Sequence, residues 1–332
     1  MNLLLLAILL MSPGPQGSRP DSPGRAERSK GPKIVEIAYA DDENPRHKLL
    51  LFLPKKPTTA APLPLVIWIH GGGWRQGDFR SGDALIRPLI QSGRYAAASI
   101  GYRLTDEAQW PAQVHDCKAA LRWLRANASE YNIDPERIAV VGPSAGGHLS
   151  AMLGTSAGVP AMQGDLGAHD QVDDRVTCVV DLFGPTDLLK MDAQAPTGAT
   201  LKHDAPHSPE SKLLGAPLQS VPIQAASANP ITYVTSDDPP FLIIHGTADR
   251  VVPYGQSVLL DTALDQAEVN SILITLKGAG HGGRGLDQVD GHIRAFLEKH
   301  LHGAGVMIEE TTVEVTPPKS AKPGKGTRPT SR

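Results

Sequence analysis

Cysteine is scarce in this chain. Only Cys117 and Cys178 occur in 332 residues, and neither belongs to a CxxC or a Cys/His cluster with metal-ligand spacing. A disulfide scaffold or a structural metal centre is therefore excluded as the organising device, and no metal site is expected. Each cysteine lies in an apolar or helical-looking stretch, VHDCKAALRWL or RVTCVVDLF, where a free thiol serves as a small buried hydrophobe. Two unpaired thiols are expected, with a disulfide between them the alternative for an exported chain. An excess of charge of one sign is also lacking. The formal net charge is −3, which argues against nucleic acid as a partner, because such proteins carry a marked basic excess. The apolar run from Leu3 to Met11 is too short to cross a bilayer, so no stable membrane association is expected. It fits the hydrophobic segment of a signal peptide, although no Lys or Arg precedes it and no AxA-like site follows. Residues 1–31 are read as a signal peptide and a Pro/Gly/Ser-rich linker. That predicts secretion or a periplasmic location, and a cytoplasmic one if the run is not a signal.

What remains is an ordinary globular composition, 40% hydrophobic and 20% charged, in a chain long enough for one large domain. Strand-like runs alternate with amphipathic ones. KIVEIAYA and KLLLFLP come first, followed by a Pro-rich loop from Pro54 to Pro64. LVIWIHG from Leu65 is continuously apolar, the pattern of a strand buried on both faces. YAAASIGYRL follows, then a helix from Pro111 to Glu130, and Asp134–Pro135 predicts a turn into RIAVVG. Beyond Ser144 come a helix over AGGHLSAML, buried strands in VTCVVDLFGP and FLIIHG, a helix near Gln256–Gln266, a strand SILITLK and a last helix near Asp287–His300. This alternation predicts an α/β fold over residues 32–302, a mainly parallel central sheet with helices on both faces. Residues 187–238 interrupt the rhythm with many Pro, Ala and Ser. They read as a short lid-like insertion over the end of the sheet where ligand-binding loops gather. From Gly303 the periodicity fades, and the end, TPPKSAKPGKGTRPTSR, is basic and rich in Pro and Gly. Residues 303–332 are expected to form a disordered basic tail.

Gly142-Pro143-Ser144-Ala145-Gly146 is a GxSxG pattern placed between a strand and a helix. A serine on so tight a turn needs small flanking residues, and the helix that begins after it brings backbone N–H groups beside the hydroxyl. Alone the pattern is weak. Upstream, His70-Gly71-Gly72-Gly73-Trp74 follows a buried strand. Consecutive glycines let main-chain N–H groups face a reacting carbonyl oxygen and, with the N–H of Ala145, stabilise its negative charge. A phosphate cradle fails here for want of a following GK[ST]. Downstream, Asp249 in IIHGTADRVVP and His281 in KGAGHGG each follow a strand. A histidine beside Ser144 would take its proton, and an aspartate behind it would hold the tautomer. The order Ser–Asp–His is the one used on an α/β-hydrolase sheet. Asp187 and Asp238 are rival acids and His292 a rival base, whereas His70 and His245 read as structural residues that shape their glycine turns.

The stretches HGGGW, DCKAALRWLRANA, GPSAGGHL, VVDLFGPTDLL, DDPPFLIIHGTADRVVP and KGAGHGG together resemble the α/β-hydrolase esterases of the bifunctional feruloyl/acetyl xylan esterase type. The likeness spans about residues 34–300, and hormone-sensitive-lipase-like carboxylesterases and kynurenine formamidases share the HGGG and GxSxGG motifs. Carried over position by position, the resemblance implies Ser144, Asp249 and His281 as catalytic residues and Gly72, Gly73 and Ala145 as oxyanion donors. The N–H of Trp74 is a further candidate donor. Trp74 and Phe183 become pocket walls by analogy of position. Pro143 departs from the family, where Gly, His or Asp is common. The implied reaction is hydrolysis of an ester between a small or aromatic acyl group and a sugar hydroxyl, as in acetylated or feruloylated plant polysaccharide, with no cofactor. The alternatives are a general short-chain carboxylesterase and a catalytically silent binding module of the same fold.

Overall fold

The computed structural model describes residues 31–315 apart from Gly283 and Arg284. The expected signal segment and the last part of the expected tail lie outside the described residues.

A nine-stranded sheet runs through the molecule in the order β1-β2-β4-β3-β5-β6-β7-β8-β9. Its strands are β1 (Lys33–Ala38), β2 (Lys48–Leu53), β3 (Leu63–Ile69), β4 (Ala96–Ile100), β5 (Ile133–Pro143), β6 (Cys178–Leu182), β7 (Phe241–Gly246), β8 (Ser271–Lys277) and β9 (Thr311–Glu314). β1 and β2 pair antiparallel, as do β2 and β4, and every pairing from β4 through β3 to β9 is parallel.

The central strands are apolar on both sides because each side feeds a separate core. Leu65, Ile67 and Ile69 of β3, Val140 of β5 and Ile243 of β7 join one cluster, while Val66, Val141 and Ile244 join the other. Helices cover both faces, as a parallel sheet requires. The first cluster takes Cys117 and Leu121 of α2 (Ala112–Ala126), Leu149 and Met152 of α3 (Ala145–Thr155) and Leu260 of α8 (Gly255–Gln266). The second takes Ile86 and Ile90 of α1 (Asp83–Gln91) and Val289, Ile293 and Phe296 of α9 (Leu286–His302). Cys117 and Cys178 belong to different clusters, are buried and are both free thiols.

Two local expectations change. Asp134 does make its turn, accepting from the Glu136 N–H at 2.9 Å and pairing with Arg137 at 2.7 Å. The turn lies inside β5, as an irregularity between the pairs Leu63–Ile133 and Leu65–Ile138. The expected disorder from Gly303 does not hold over 311–314. There Thr311, Thr312 and Val313 extend along the free edge of β8 as β9, with Val313 packed on the second cluster and Glu314 paired with Lys277 at 2.7 Å. A short run of β-branched residues beside an unpaired strand edge is enough to continue the sheet.

Residues 187–238 carry only short elements, among them α5 (Met191–Gln194), α6 (Pro209–Leu214) and α7 (Pro222–Ser227), which follow the four-residue α4 (Pro160–Gln163). Their Leu188, Met191, Leu213, Leu218 and Ala225 are part of the first core cluster. No helix among the described residues is long and apolar enough to cross a membrane.

Candidate active site

Ser144 sits between the last residue of β5 and the first of α3, at φ 55° and ψ −122°. This is a conformation that non-glycine residues adopt only when their surroundings enforce it. Here the backbone supplies the constraint: Ser144 N–H donates to the Leu182 carbonyl of β6 at 2.8 Å, and its own carbonyl accepts from His148 N–H at 3.0 Å. The turn also brings α3 hard against β3. A Cβ added to Gly146 would stand 2.1 Å from the Ile69 carbonyl oxygen, so nothing larger than glycine fits.

The glycine loop after β3 turns back beside this serine. Gly72 and Gly73 have φ of 115° and 60°, and Trp74 follows at 55°. His70 anchors the loop from below, with its Nδ1 2.8 Å from the Gly71 carbonyl and its ring stacked on Tyr102 at 4.2 Å. Burial lowers its pKa to about 4, so it is a neutral structural residue, donating from Nδ1.

His281 and Asp249 complete the arrangement from the loops after β8 and β7. His281 Nε2 lies 3.1 Å from Ser144 Oγ, and His281 Nδ1 lies 2.7 Å from Asp249 Oδ2. Asp249 is 1% exposed, and its other oxygen accepts from the Val251 and Val252 N–H groups at 2.8 and 2.9 Å. Burial pushes its carboxyl upward, but hydrogen bonds from His245 and His281 and the field of both rings outweigh it. The pKa lies well below the usual carboxylate range. The second ring, His245, places Nε2 3.2 Å from Asp249 Oδ2.

These groups open on a cavity of about 550 Å³. One side is the loop from Gly71 to Gln76 together with Pro143, Ser144, Ala145 and His281; the other is Pro185, Leu201, His203, Pro209, Glu210, Val251 and Val252. Leu201, His203, Pro209 and Glu210 come from the 187–238 segment. His203 Nδ1 and Glu210 Oε1, both buried, lie 3.0 Å apart. Burial would depress the His203 imidazolium, but the Glu210 hydrogen bond and charge more than offset this and raise its pKa.

One of the two expected pocket walls is placed differently. Phe183 does not line this cavity; its ring packs edge-on against His281 at 4.8 Å, steadying the imidazole. Trp74 borders the cavity, but its side chain is 1% exposed and stands edge-on to His148 at 5.2 Å. The rival residues are engaged elsewhere. Asp187 occupies the N-cap position of a 3-10 turn without making a capping bond and pairs with Lys190 at 3.1 Å. Asp238 closes its own turn onto Thr235, and His292 lies within α9.

Sequence reading missed the residues of the far wall. Ser208–Pro209 with an acid at 210 does signal a helix start, and Ser208 does cap α6 through Ser211 N–H at 3.0 Å. Nothing local says that this helix faces Ser144. His148 was also missed as a support. Its Nε2 donates to the Ala228 carbonyl at 2.7 Å, tying α3 to the inserted segment.

A parallel sheet with a serine on a strand–helix turn, and a histidine and acid on later strand ends, defines an α/β-hydrolase-fold protein. Within that class the chain belongs to the BD-FAE family, whose model matches residues 49–264. It is similar to Esterase LipC of Mycobacterium tuberculosis, 34% identical over 77% of this chain and 60% of that one. It spans roughly half the length of the curated relatives it first matches, at 60%, 49% and 46%. Among solved structures it is similar to a truncated carbohydrate esterase from gut microbiota, with TM-score 0.72 and 34% identity over 82% of this chain and 100% of that one. An acetyl ester-xyloside bifunctional hydrolase from Caldicellulosiruptor lactoaceticus shares the fold at TM-score 0.66 and 24% identity, covering 82% and 98% of the two chains.

Proposed function

We propose that this protein is a serine carboxylic-ester hydrolase that deacylates acetylated or feruloylated carbohydrate. The carrying observation is the relay from Ser144 Oγ to His281 Nε2 at 3.1 Å and from His281 Nδ1 to Asp249 at 2.7 Å, opening on a cavity beside a glycine loop. In this reading Ser144 Oγ attacks the ester carbonyl while its proton passes to His281. The tetrahedral oxyanion is held by the N–H groups of Gly72, Gly73 and Ala145. Collapse expels the alcohol, which takes the proton from His281, and leaves an acyl-enzyme. Water, deprotonated by His281, then releases the acid and restores Ser144. The carbohydrate part rests on the likeness to a carbohydrate esterase over the whole of that chain. The general carboxylesterase reading is favoured by the esterase name of the matched relative.

Hydrolysis of 4-nitrophenyl acetate, methyl ferulate, acetylated xylo-oligosaccharide and glyceryl tributyrate should be compared at equal enzyme. A higher kcat/KM on the acetylated saccharide or the ferulate than on tributyrate is expected. Preference for tributyrate would replace the carbohydrate reading by the general one, and no turnover of any ester would remove both. Export, suggested by the Leu3–Met11 run, predicts that the chain expressed in its native host accumulates outside the cytoplasm. Fractionation of those cells tests it.

A further inference from the structure

The acid of the site has a second, fully buried histidine. His245 Nε2 lies 3.2 Å from Asp249 Oδ2 and 3.0 Å from the Val252 carbonyl oxygen. Both are acceptors, so that nitrogen must carry the proton. On the other side of the ring, Nδ1 is 2.7 Å from Ser257 Oγ of α8, which can donate its hydroxyl proton and thereby hold the neutral Nε2–H tautomer. His245 and Ser257 are both 0% exposed. Asp249 Oδ2 is therefore shared by two Ser–His arms: Ser144–His281, which reaches the cavity, and Ser257–His245, which reaches nothing but protein.

We infer that His245 is a positioning residue that sets how strongly Asp249 acts on His281. The inference rests on the roles proposed above for those two residues. A carboxylate oxygen that already accepts one N–H is a weaker acceptor for a second. The His245 N–H thus pins Oδ2 in place and draws off part of the charge that would otherwise stabilise protonated His281. Because the buried arm has no access to substrate, it supplies no second nucleophile. The groups placed against the pair are consistent with a local effect. Phe183 packs edge-on between the two rings at 4.8 and 6.4 Å, and Thr275 of β8 is the register partner of His245; neither carries charge. Tyr254, 5.7 Å from the His245 ring, is a further titratable neighbour among the described residues, and its hydroxyl is tied to Thr275 at 2.6 Å.

The test is the acidic limb of the kcat/KM profile on 4-nitrophenyl acetate for the whole protein, compared with His245→Leu, His245→Gln and Ser257→Ala. In His245→Leu the lost donor strengthens the Asp249–His281 bond. The limb should move to higher pH by at least about half a unit, with kcat down roughly tenfold and KM within about threefold. Gln, which keeps an amide N–H, should restore most of both. Ser257→Ala, which removes the hydroxyl on Nδ1 and so loosens the hold on the ring, should move the limb the same way by less, and it decides the matter if the leucine variant does not fold. A limb unmoved in the folded variants, or moved to lower pH, overturns the inference whatever happens to kcat. A wild-type protein without turnover would instead remove the proposed function.

Discussion

At the scale of single residues, the site is built on backbone that would not be stable elsewhere. Ser144, Trp74 and Phe183 all have positive φ, at 55°, 55° and 48°, and strain of this kind costs on the order of 1–3 kcal/mol per residue. The strain at Ser144 belongs to its place in the chain and not to its hydroxyl, and that separates two substitutions. Ser144→Ala and Ser144→Gly should both lower kcat by about 10³-fold or more. The glycine variant should nevertheless be the more stable of the two by about 1 kcal/mol, because glycine meets no Cβ penalty there. Urea denaturation of both variants measures this, and equal stability would mean that the turn is not strained. The acid is tested in the same way. Asp249→Asn should lower activity by about 10²- to 10⁴-fold at neutral pH by favouring the wrong imidazole tautomer. Asp187→Asn loses only a bond to the half-exposed Lys190, so its effect on kcat should be far smaller. Assaying both on one soluble acetate ester gives the ranking, and the reverse order would move the acid to the loop after β6.

Among elements, the decisive contact is the crossing of α3 over β3. Gly146 and the Ile69 carbonyl meet so closely that an added Cβ would stand 2.1 Å from the oxygen, and the next atoms approached are also backbone. Neither partner can step aside as a flexible side chain could. Gly146→Ala should therefore cost at least about 3 kcal/mol, well beyond an ordinary surface change, and shift the Ser144 turn with it. A thermal melt within a degree or two of wild type would show that the crossing has slack. Most elements around this crossing were legible in the sequence. Doubly apolar strands such as LVIWI and FLIIHG, and helices with apolar residues at helical spacing, carry their pattern locally. Two features were not. The Asp134 turn was readable, but its absorption into β5 depends on pairing with β3. β9 is four residues long and exists only because β8 offers it an edge.

For the whole molecule, the sheet's depth leaves a titratable group with little choice. Asp181 on β6 is fully buried. One of its oxygens accepts from Gly184 N–H at 2.8 Å, and the other has no hydrogen-bond partner among the described residues. Burial raises its pKa to about 7, against the smaller opposing effect of the Gly184 bond. The folded state thus holds this proton more tightly than the unfolded chain does. The sign follows from linkage: the contribution is complete below the ordinary carboxylate pKa and is lost as pH rises through about 7. Asp181→Asn carries no such proton. The stability of wild type relative to Asp181→Asn should therefore fall between about pH 4 and about pH 7 and level off above that, by up to a few kcal/mol. Other ionisable groups, Asp249 included, occur in both proteins and drop out of the comparison. Melting temperatures of the two across that range check it; a constant difference would mean that Asp181 is ionised throughout.

The sequence alone determined the class of sheet, the covering of both faces, and the strand ends that carry Ser144, Asp249 and His281. Each of these depends on periodicity or on small residues at a turn, which neighbouring residues encode. It also marked His70 as structural, and burial beneath the glycine loop agrees with that. Tertiary structure alone decided which residues line the cavity, that Phe183 supports His281 instead of forming a wall, and that Asp249 answers to two histidines. His203 and Glu210 come from the inserted segment, and Ser257 and His245 from a helix and a strand that are adjacent only after folding. Such contacts leave no periodic trace in the chain, because they are fixed by how the layers pack and not by local conformation.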